Sequence, residues 1–471
     1  MKRIASELAK LNRGKRAYAI FVLCAMTALA LPAQTFTTRY SFDGRNGALP
    51  SAALVQATNG DLYGTTDRGG ANDDGTVFKI TPSGTLTTVY NFCSQSGCMD
   101  GANPEAALIQ TANGDFYGTT YHGGASGLCD TGCGTVFKIT PAGTLTTLYS
   151  FCSQSGCPDG WFPAAGLVQA ITGDFYGTTV YGGANGLFYG TIFKITPGGA
   201  LTTLYSFCSK SECPDSANPY AGLVQATTGD FYGTTRNAGA YGPYYGTIFK
   251  ITPSGKLTTV YSFCSQIEKS GCTDGANPYA GLVQATNGDF FGTTEDGGTG
   301  GVGTVFKITP GGALTTLYSF CPQIGCTDGR YPYAGLVQAS NGDFYGTTSE
   351  GGANNDGTIF EITPSGTLTT LYSFCSESGC TDGVHPSAAL VQASNGDFYG
   401  TTNSGGAYGY GTVFEITPSG TLMALGIGIN RTENRVTTGV FFRSNSSRTG
   451  GQLYLCPLLQ ESLRNTLQPV R

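Results

Sequence analysis

The stretch Asn113-Gly114-Asp115-Phe116-Tyr117-Gly118-Thr119-Thr120, with its sequel Gly134-Thr135-Val136-Phe137-Lys138-Ile139-Thr140-Pro141, decides the fold because it recurs. Tyr-Gly-Thr-Thr begins at Tyr63, Tyr117, Tyr176, Tyr232, Tyr345 and Tyr399, and Phe291 heads a seventh copy. The intervals are 54, 59, 56, 59, 54 and 54 residues. Each copy is followed by a glycine-rich stretch and then Thr-(Val/Ile)-Phe-(Lys/Glu)-Ile-Thr-Pro, from Thr76–Pro82 to Thr412–Pro418. Self-similarity at such a period signals a repeat architecture. No stretch shows sustained helical periodicity.

Working outward within one unit, four strand-like runs appear: Ala106–Thr111, Asp115–Thr120, Gly134–Thr140 and Leu145–Phe151. All are rich in β-branched and aromatic residues and bounded by turn chemistry. Asn113-Gly114 predicts a tight hairpin with both residues at positive φ. Pro141-Ala142-Gly143 predicts a second tight turn. Four antiparallel strands repeated radially describe a propeller blade. The expectation is an all-β, seven-bladed β-propeller of four-stranded blades over residues 35–421. Phe36-Thr37-Thr38-Arg39-Tyr40-Ser41-Phe42 matches the fourth strand of the other units, whereas the seventh unit lacks its own copy. The N-terminal strand is therefore expected to complete the last blade and close the ring.

The pattern Gly-Leu-Val-Gln, Asn-Gly-Asp-Phe-Tyr-Gly-Thr-Thr, Gly-Gly-Ala, Gly-Thr-Val-Phe-Lys-Ile-Thr resembles the GloVer tandem repeat of exported bacterial "choice-of-anchor" proteins. The resemblance covers residues 36 to about 421. It implies a surface or secreted bacterial protein and carries no catalytic residue over. The family name refers to alternative C-terminal anchors. The tail, residues 422–471, shows no sortase-type motif, and its longest apolar run, Leu422–Ile429, is too short to span a membrane. No structure is assigned to it.

Export is also read from the N-terminus. Lys2, Arg3, Lys10, Arg13, Lys15 and Arg16 precede the apolar run Ala17–Ala30, which ends on Ala28-Leu29-Ala30. Residues 1–33 thus read as a signal peptide, cleaved after Ala30 or Ala33, leaving no transmembrane segment in the mature chain. Of 16 cysteines, Cys24 and Cys456 stand apart. The others fall into local pairs: Cys93 with Cys98, Cys129 with Cys133, Cys152 with Cys157, Cys208 with Cys213, Cys264 with Cys272, Cys321 with Cys326, and Cys375 with Cys380. Each pair stands alone without histidines at ligand spacing, so disulfides are expected rather than zinc. Each would contribute about 2 kcal/mol by closing a short loop.

Charge and composition exclude more than they specify. Hydrophobic residues make up 40% of the chain, enough for a large core. The net charge is −6. Setting aside six basic and one acidic residue before Thr35, and six basic and two acidic after Thr421, leaves 13 basic against 28 acidic in the repeats. Such a surface excludes a nucleic-acid partner. His122 and His385 are the only histidines. They read as solvated loop residues, and no cofactor or metal is expected. No Gly-x-Ser-x-Gly elbow or P-loop occurs.

The short turns should share one face of the propeller and the long, variable loops the other, where binding residues belong. The candidate ligand-binding residues are Trp161, Tyr121, Tyr181, Tyr241, Tyr220, Tyr279 and Tyr333, whose rings suit sugar stacking or peptide contact. Tyr220, Tyr279 and Tyr333 recur at one repeat position, which also suits gap filling between blades. The aspartates after the cysteines and after the hairpin glycines recur in nearly every unit and read as turn caps, although paired carboxylates also serve glycoside hydrolysis. Gln56, Gln110 and their equivalents read as a hydrogen-bonding ring. The visible departures from symmetry are Trp161, the extra loop between Cys129 and Cys133, and the cysteine-free connection Asp43–Pro50. The sequence thus predicts a monomeric, exported, non-catalytic module for a glycan or protein ligand. An enzyme acting on extracellular polysaccharide and a structural adhesion component are the alternatives.

Overall fold

The computed structural model describes residues 34–125, 128–268, 271–418 and the backbone of three strands beyond them. The expected signal peptide, residues 1–33, lies outside the described residues, as do Cys24 and Cys456. Seven four-stranded antiparallel sheets follow one another, so the chain is an all-β, seven-bladed β-propeller. In blade 2 the strands are Ile109–Gln110, Phe116–Thr120, Thr135–Ile139 and Leu145–Ser150, counted from the axis outward. Among the described residues there is no α-helix, and no helix long and apolar enough to cross a membrane.

Packing explains the composition of each strand. The second and third strands lie between neighbouring blades and are buried on both faces: Phe116, Val136, Phe137 and Ile139 are almost wholly enclosed. Burying each such side chain contributes about 2 kcal/mol. The outer strand alternates, with Leu145 and Thr147 half-buried while Thr146 is exposed, as a solvent-facing edge requires. Gly118 is forced by this packing. A Cβ there would lie 2.7 Å from the Phe137 ring and 2.8 Å from Leu108. Every copy of Tyr-Gly-Thr-Thr therefore needs its glycine.

Two local expectations are corrected. The innermost strand is only Ile109–Gln110, not Ala106–Thr111. The Ala106 carbonyl instead accepts the Thr65 hydroxyl of blade 1 at 3.1 Å. The hairpin after it is a three-residue turn. Gly114 N donates to Thr111 O at 2.8 Å, and Thr111 N to Asp115 O at 2.9 Å. Only Gly114 takes positive φ, at 90°, while Asn113 instead accepts Asp115 N through its side chain at 3.1 Å.

The ring closes as the termini predict. Phe36–Ser41 is the outer strand of blade 7, beside Thr412–Ile416. Its ends reach both neighbours: Phe36 stacks on Tyr372 of blade 6, centroids 3.9 Å apart, and Phe42 meets Phe78 of blade 1 edge-on at 5.1 Å. The Thr65–Ala106 bond repeats at every junction, ending with Thr401 Oγ1 donating to Ala52 O across the seam. The seam has one private contact. Arg39 stands where other outer strands carry Leu or Val, and its Nε donates to Glu415 Oε2 at 2.6 Å. The propeller unit is Phe36–Ala393 with Phe398–Glu415. In a second unit, Met423–Thr432, Arg435–Arg443 and Leu453–Leu455 pair antiparallel. The tail thus contains strands to which the sequence assigned nothing.

Candidate ligand site at the axial opening

Antiparallel pairing puts the two short turns of every blade on one face and the glycine-rich and interblade loops on the other. The long-loop face is rigid at its periphery, because every expected cysteine pair is a disulfide. Cys93 is bonded to Cys98, Cys129 to Cys133, Cys152 to Cys157 and Cys208 to Cys213. Cys264 is bonded to Cys272, Cys321 to Cys326 and Cys375 to Cys380. No described cysteine is free. In most of these bonds both cysteines hold positive φ: Cys93 and Cys98 at 53° and 51°, Cys152 and Cys157 at 54° and 47°, Cys208 and Cys213 at 57° and 52°, Cys321 and Cys326 at 57° and 45°. In the longer loop closed by Cys272 only Cys264 does so, at 63°. The bond clamps a backbone shape that L-residues disfavour.

Beside every clamp except Cys129–Cys133 an aspartate gathers the loop. The Asp100 carboxylate accepts Tyr90 OH at 2.8 Å, Ser94 N at 2.9 Å, Ser94 Oγ at 2.8 Å and Gln95 N at 3.1 Å. Asp159, Asp215, Asp274 and Asp382 repeat the Tyr and Ser contacts, and Asp328 keeps its tyrosine, Tyr318. These carboxylates are scaffold.

Closer to the axis the repeat ends. In each blade a backbone bridge ties the interblade loop to the second residue after Tyr-Gly-Thr-Thr: Ala48 to Arg68, Ala102 to His122, Trp161 to Tyr181, Ala217 to Asn237, Ala276 to Asp296, Arg330 to Glu350 and Val384 to Ser404. The frame is constant and the side chains are not. The residue immediately after each Tyr-Gly-Thr-Thr is Asp67, Tyr121, Val180, Arg236, Glu295, Ser349 or Asn403, a different one in every blade. The residue before each inner segment Ala-(Ala/Gly)-Leu is Ser51, Glu105, Ala164, Tyr220, Tyr279, Tyr333 or Ser387.

These side chains converge. Tyr220 stacks on Tyr279 with centroids 5.0 Å apart, and Tyr279 meets Tyr333 edge-on at 5.6 Å. Arg236 lies over both Tyr220 and Tyr279, 5.8 and 5.7 Å from their centroids, and 3.2 Å from Glu295. Tyr333 OH donates to Glu295 at 2.9 Å. Tyr181 and Tyr220 bring their hydroxyls to 3.4 Å. Burial raises the Tyr279 phenol to about 12, and the charge of Glu105, three blades away, adds to the rise. Burial and then the Asp67 charge push the Glu105 carboxyl up to about 7. Burial likewise holds Asp67 above the ordinary carboxylate range, with Arg68 pulling the other way.

Of the predicted site residues, Tyr121, Trp161, Tyr181, Tyr220, Tyr279 and Tyr333 lie in one aromatic arc from blade 2 to blade 6. Tyr121 stacks on Phe162 at 4.5 Å, Trp161 on Phe162 at 4.7 Å, and Trp161 lies 5.6 Å from Tyr181. Trp161 Nε1 donates to Leu187 O at 3.0 Å. Tyr241 is 53% exposed on the blade 4 loop, outside this arc. His122 is not a solvated loop residue: its Nδ1 lies 2.8 Å from Thr131 Oγ1, and its ring meets Tyr121 and Phe162 edge-on. Burial lowers its pKa. His385 is exposed, and its Nδ1 donates to Ser349 O at 2.9 Å. Sequence reasoning missed Asp67, Glu105, Arg236 and Glu295. For Asp67, Arg236 and Glu295 the signal was a repeat position at which no two blades agree, and for Glu105 it was the one charge at a position otherwise held by tyrosine, serine or alanine.

A family model described as the Gloeobacter/Verrucomicrobia repeat matches residues 25–159, 99–272 and 323–455. Among curated proteins none matches the chain. Among solved structures the fold is similar to the extracellular domain of a protein named as a hybrid two-component system from B. thetaiotaomicron. The TM-score is 0.51 at 12% identity, covering 90% of this chain and 47% of that one. The chain therefore spans about half the length of that domain. A protein named as a 6-phosphogluconolactonase from Bacteroides uniformis aligns with TM-score 0.45 at 14% identity, over 84% of this chain and 94% of that one. The first likeness concerns the fold alone.

Proposed function

The chain belongs to the Gloeobacter/Verrucomicrobia repeat family, and on that premise we propose that it is an exported, non-catalytic binding module whose ligand, a glycan or a protein, enters at the axial opening of the long-loop face. One observation carries this reading. A scaffold repeated seven times with near-identical contacts surrounds a ring in which every blade presents a different residue. Repetition serves stability, and its abandonment at one place serves recognition of something that lacks seven-fold symmetry. The side chains there are of the kind that recognise polar ligands: stacked tyrosines, Arg236, and the acids Asp67, Glu105 and Glu295. Export is supported by seven disulfides, which persist in oxidising compartments. The acidic repeats disfavour nucleic acid and anionic membranes as partners.

Most charges at the opening are engaged with one another: Arg68 with Asp67 at 3.5 Å, Arg236 with Glu295, and Arg330 with Glu350 at 2.8 Å. That arrangement favours holding a ligand over transforming it. The alternative, an enzyme acting on extracellular polysaccharide, draws on Glu105, a carboxyl that titrates near neutrality beside a second carboxyl. A glycan array with the purified protein, paired with a hydrolysis screen of the same sugars, separates the two. Binding without product is expected. Product from a bound sugar would sink the non-catalytic reading, and no binding to any glycan would leave a protein ligand.

A further inference from the structure

Glu105 and Asp296 differ from the other acids at the opening, and only Glu105 stands at the position that precedes an inner segment. Asp67, Glu295 and Glu350 each face an arginine, whereas no ion pair or hydrogen bond from the described residues reaches the Glu105 carboxyl. At its repeat position the other blades carry Ser51, Ala164, Tyr220, Tyr279, Tyr333 and Ser387, so it is the one charge in that ring. The ring is lopsided. Three consecutive tyrosines fill one side, and small residues with Glu105 line the rest. Two further polar atoms of the opening, Ser387 Oγ and Asp67 Oδ1, are buried without a hydrogen bond among the described residues. Buried polar atoms left this way are costly unless a ligand satisfies them.

We infer that the axial opening is a subsite for a sugar carrying a free amine, its ring against Tyr220, Tyr279 and Tyr333 and its ammonium on the Glu105 carboxylate. This rests on the binding-module reading and specifies the ligand's chemistry. The Arg236 guanidinium already lies over the Tyr220 and Tyr279 rings, so the ammonium is assigned to Glu105 and not to these faces. Burial and then the Asp67 charge raise the Glu105 carboxyl against the pull of Arg68, and an ammonium placed on it favours the charged form. An acidic sugar would bring its carboxylate against Glu105 and be repelled. Flat aromatic faces beside small residues suit a pyranose better than a narrow alkyl amine.

Three β-1,4-linked hexasaccharides test this by calorimetry at near-neutral pH: the glucosamine oligomer, its N-acetylated counterpart and cellohexaose. The expected result is binding of the glucosamine oligomer about tenfold tighter than the other two. In Glu105→Gln that advantage should vanish while the weaker, shared affinity remains, and Tyr279→Ala should weaken all three. Equal affinities, or an advantage that survives Glu105→Gln through general attraction to an acidic protein, would overturn the inference and leave the binding module standing. Tight binding of N-acetyl-lysine amide, matching glucosamine, would overturn the sugar assignment. Failure of all three oligomers and of the wider array would remove the glycan reading itself. Thermal unfolding of each variant confirms that it is folded.

Discussion

Asp100 and Glu105 lie five residues apart on the same connection between blades 1 and 2, and they behave oppositely. Asp100 is fully buried, recurs in five other blades and accepts four hydrogen bonds from its own loop. Glu105 occurs in one blade, lies half-buried at the axis and has no partner among the described residues. The same chemical group is thus scaffold where it is repeated and satisfied, and recognition machinery where it is singular and unsatisfied. The distinction extends to whole regions. The periphery of the long-loop face is clamped by seven disulfides, while in the axial ring Glu105 has no ion pair among the described residues.

The comparison can be broken most severely at the seam, where the scaffold depends on one strand. Deleting residues 35–42 removes the outer strand of blade 7 and its contacts with blades 6 and 1. The thermal midpoint should fall by more than about 10 °C, and an unchanged midpoint would refute the closure. Asp100→Ala leaves Tyr90, Ser94 and Gln95 donors without their acceptor and should cost about 3 kcal/mol in denaturant unfolding. A loss near zero would mean that the caps are dispensable. Glu105→Gln should act in the other direction. The folded protein keeps the Glu105 proton up to about pH 7, whereas the unfolded chain releases it near pH 4.3. Between these values the folded state binds more protons, so this group's contribution declines as pH rises. The variant should therefore be more stable than the native protein by about 2 kcal/mol at about pH 8 and equal to it near pH 4. Equal stability at both values would show that the carboxyl bears no burial penalty. The smallest effect belongs to the seam's private ion pair. Arg39→Leu restores the repeat residue but strands Glu415, which is 7% exposed, and should cost about 1–2 kcal/mol. Adding Glu415→Lys, the residue of blades 1 to 5, should recover most of it.

The fold was legible in the sequence because each strand recurs with its turn chemistry, and even the ring closure could be read from the orphan strand Phe36–Ser41. The shortened inner strand was not, since Ala106 looks strand-like until the Thr65 hydroxyl claims its carbonyl. The three-residue hairpin was missed because Asn113 serves the turn through its side chain instead of a left-handed backbone. The cysteine pairs were legible from spacing alone, as with Cys152 and Cys157, because each partner lies within a few residues of the other. The aromatic half of the site was visible in Tyr121, Trp161, Tyr181 and the recurring Tyr220, Tyr279 and Tyr333. Its acids were hidden for a physical reason: Asp67 and Glu295 follow Tyr-Gly-Thr-Thr in linear order like any loop residue. Only the packing shows that Glu295 meets Arg236 and Tyr333 of the neighbouring blades. Their lack of agreement between repeats, which reads as unimportance along the chain, becomes the mark of a site once the blades are superposed.

The central claim is that ligand recognition resides in the unrepeated axial ring and not in the clamped periphery. The direct test strips the ring of the large and charged residues that precede the inner segments. Glu105→Ser, Tyr220→Ser, Tyr279→Ser and Tyr333→Ser together give four more blades the residue that blades 1 and 7 already carry. On the glycan array this variant is predicted to lose the native protein's binding while keeping its disulfides and a cooperative unfolding transition. A folded variant that binds as the native protein does would place recognition on the outer loops and contradict the account.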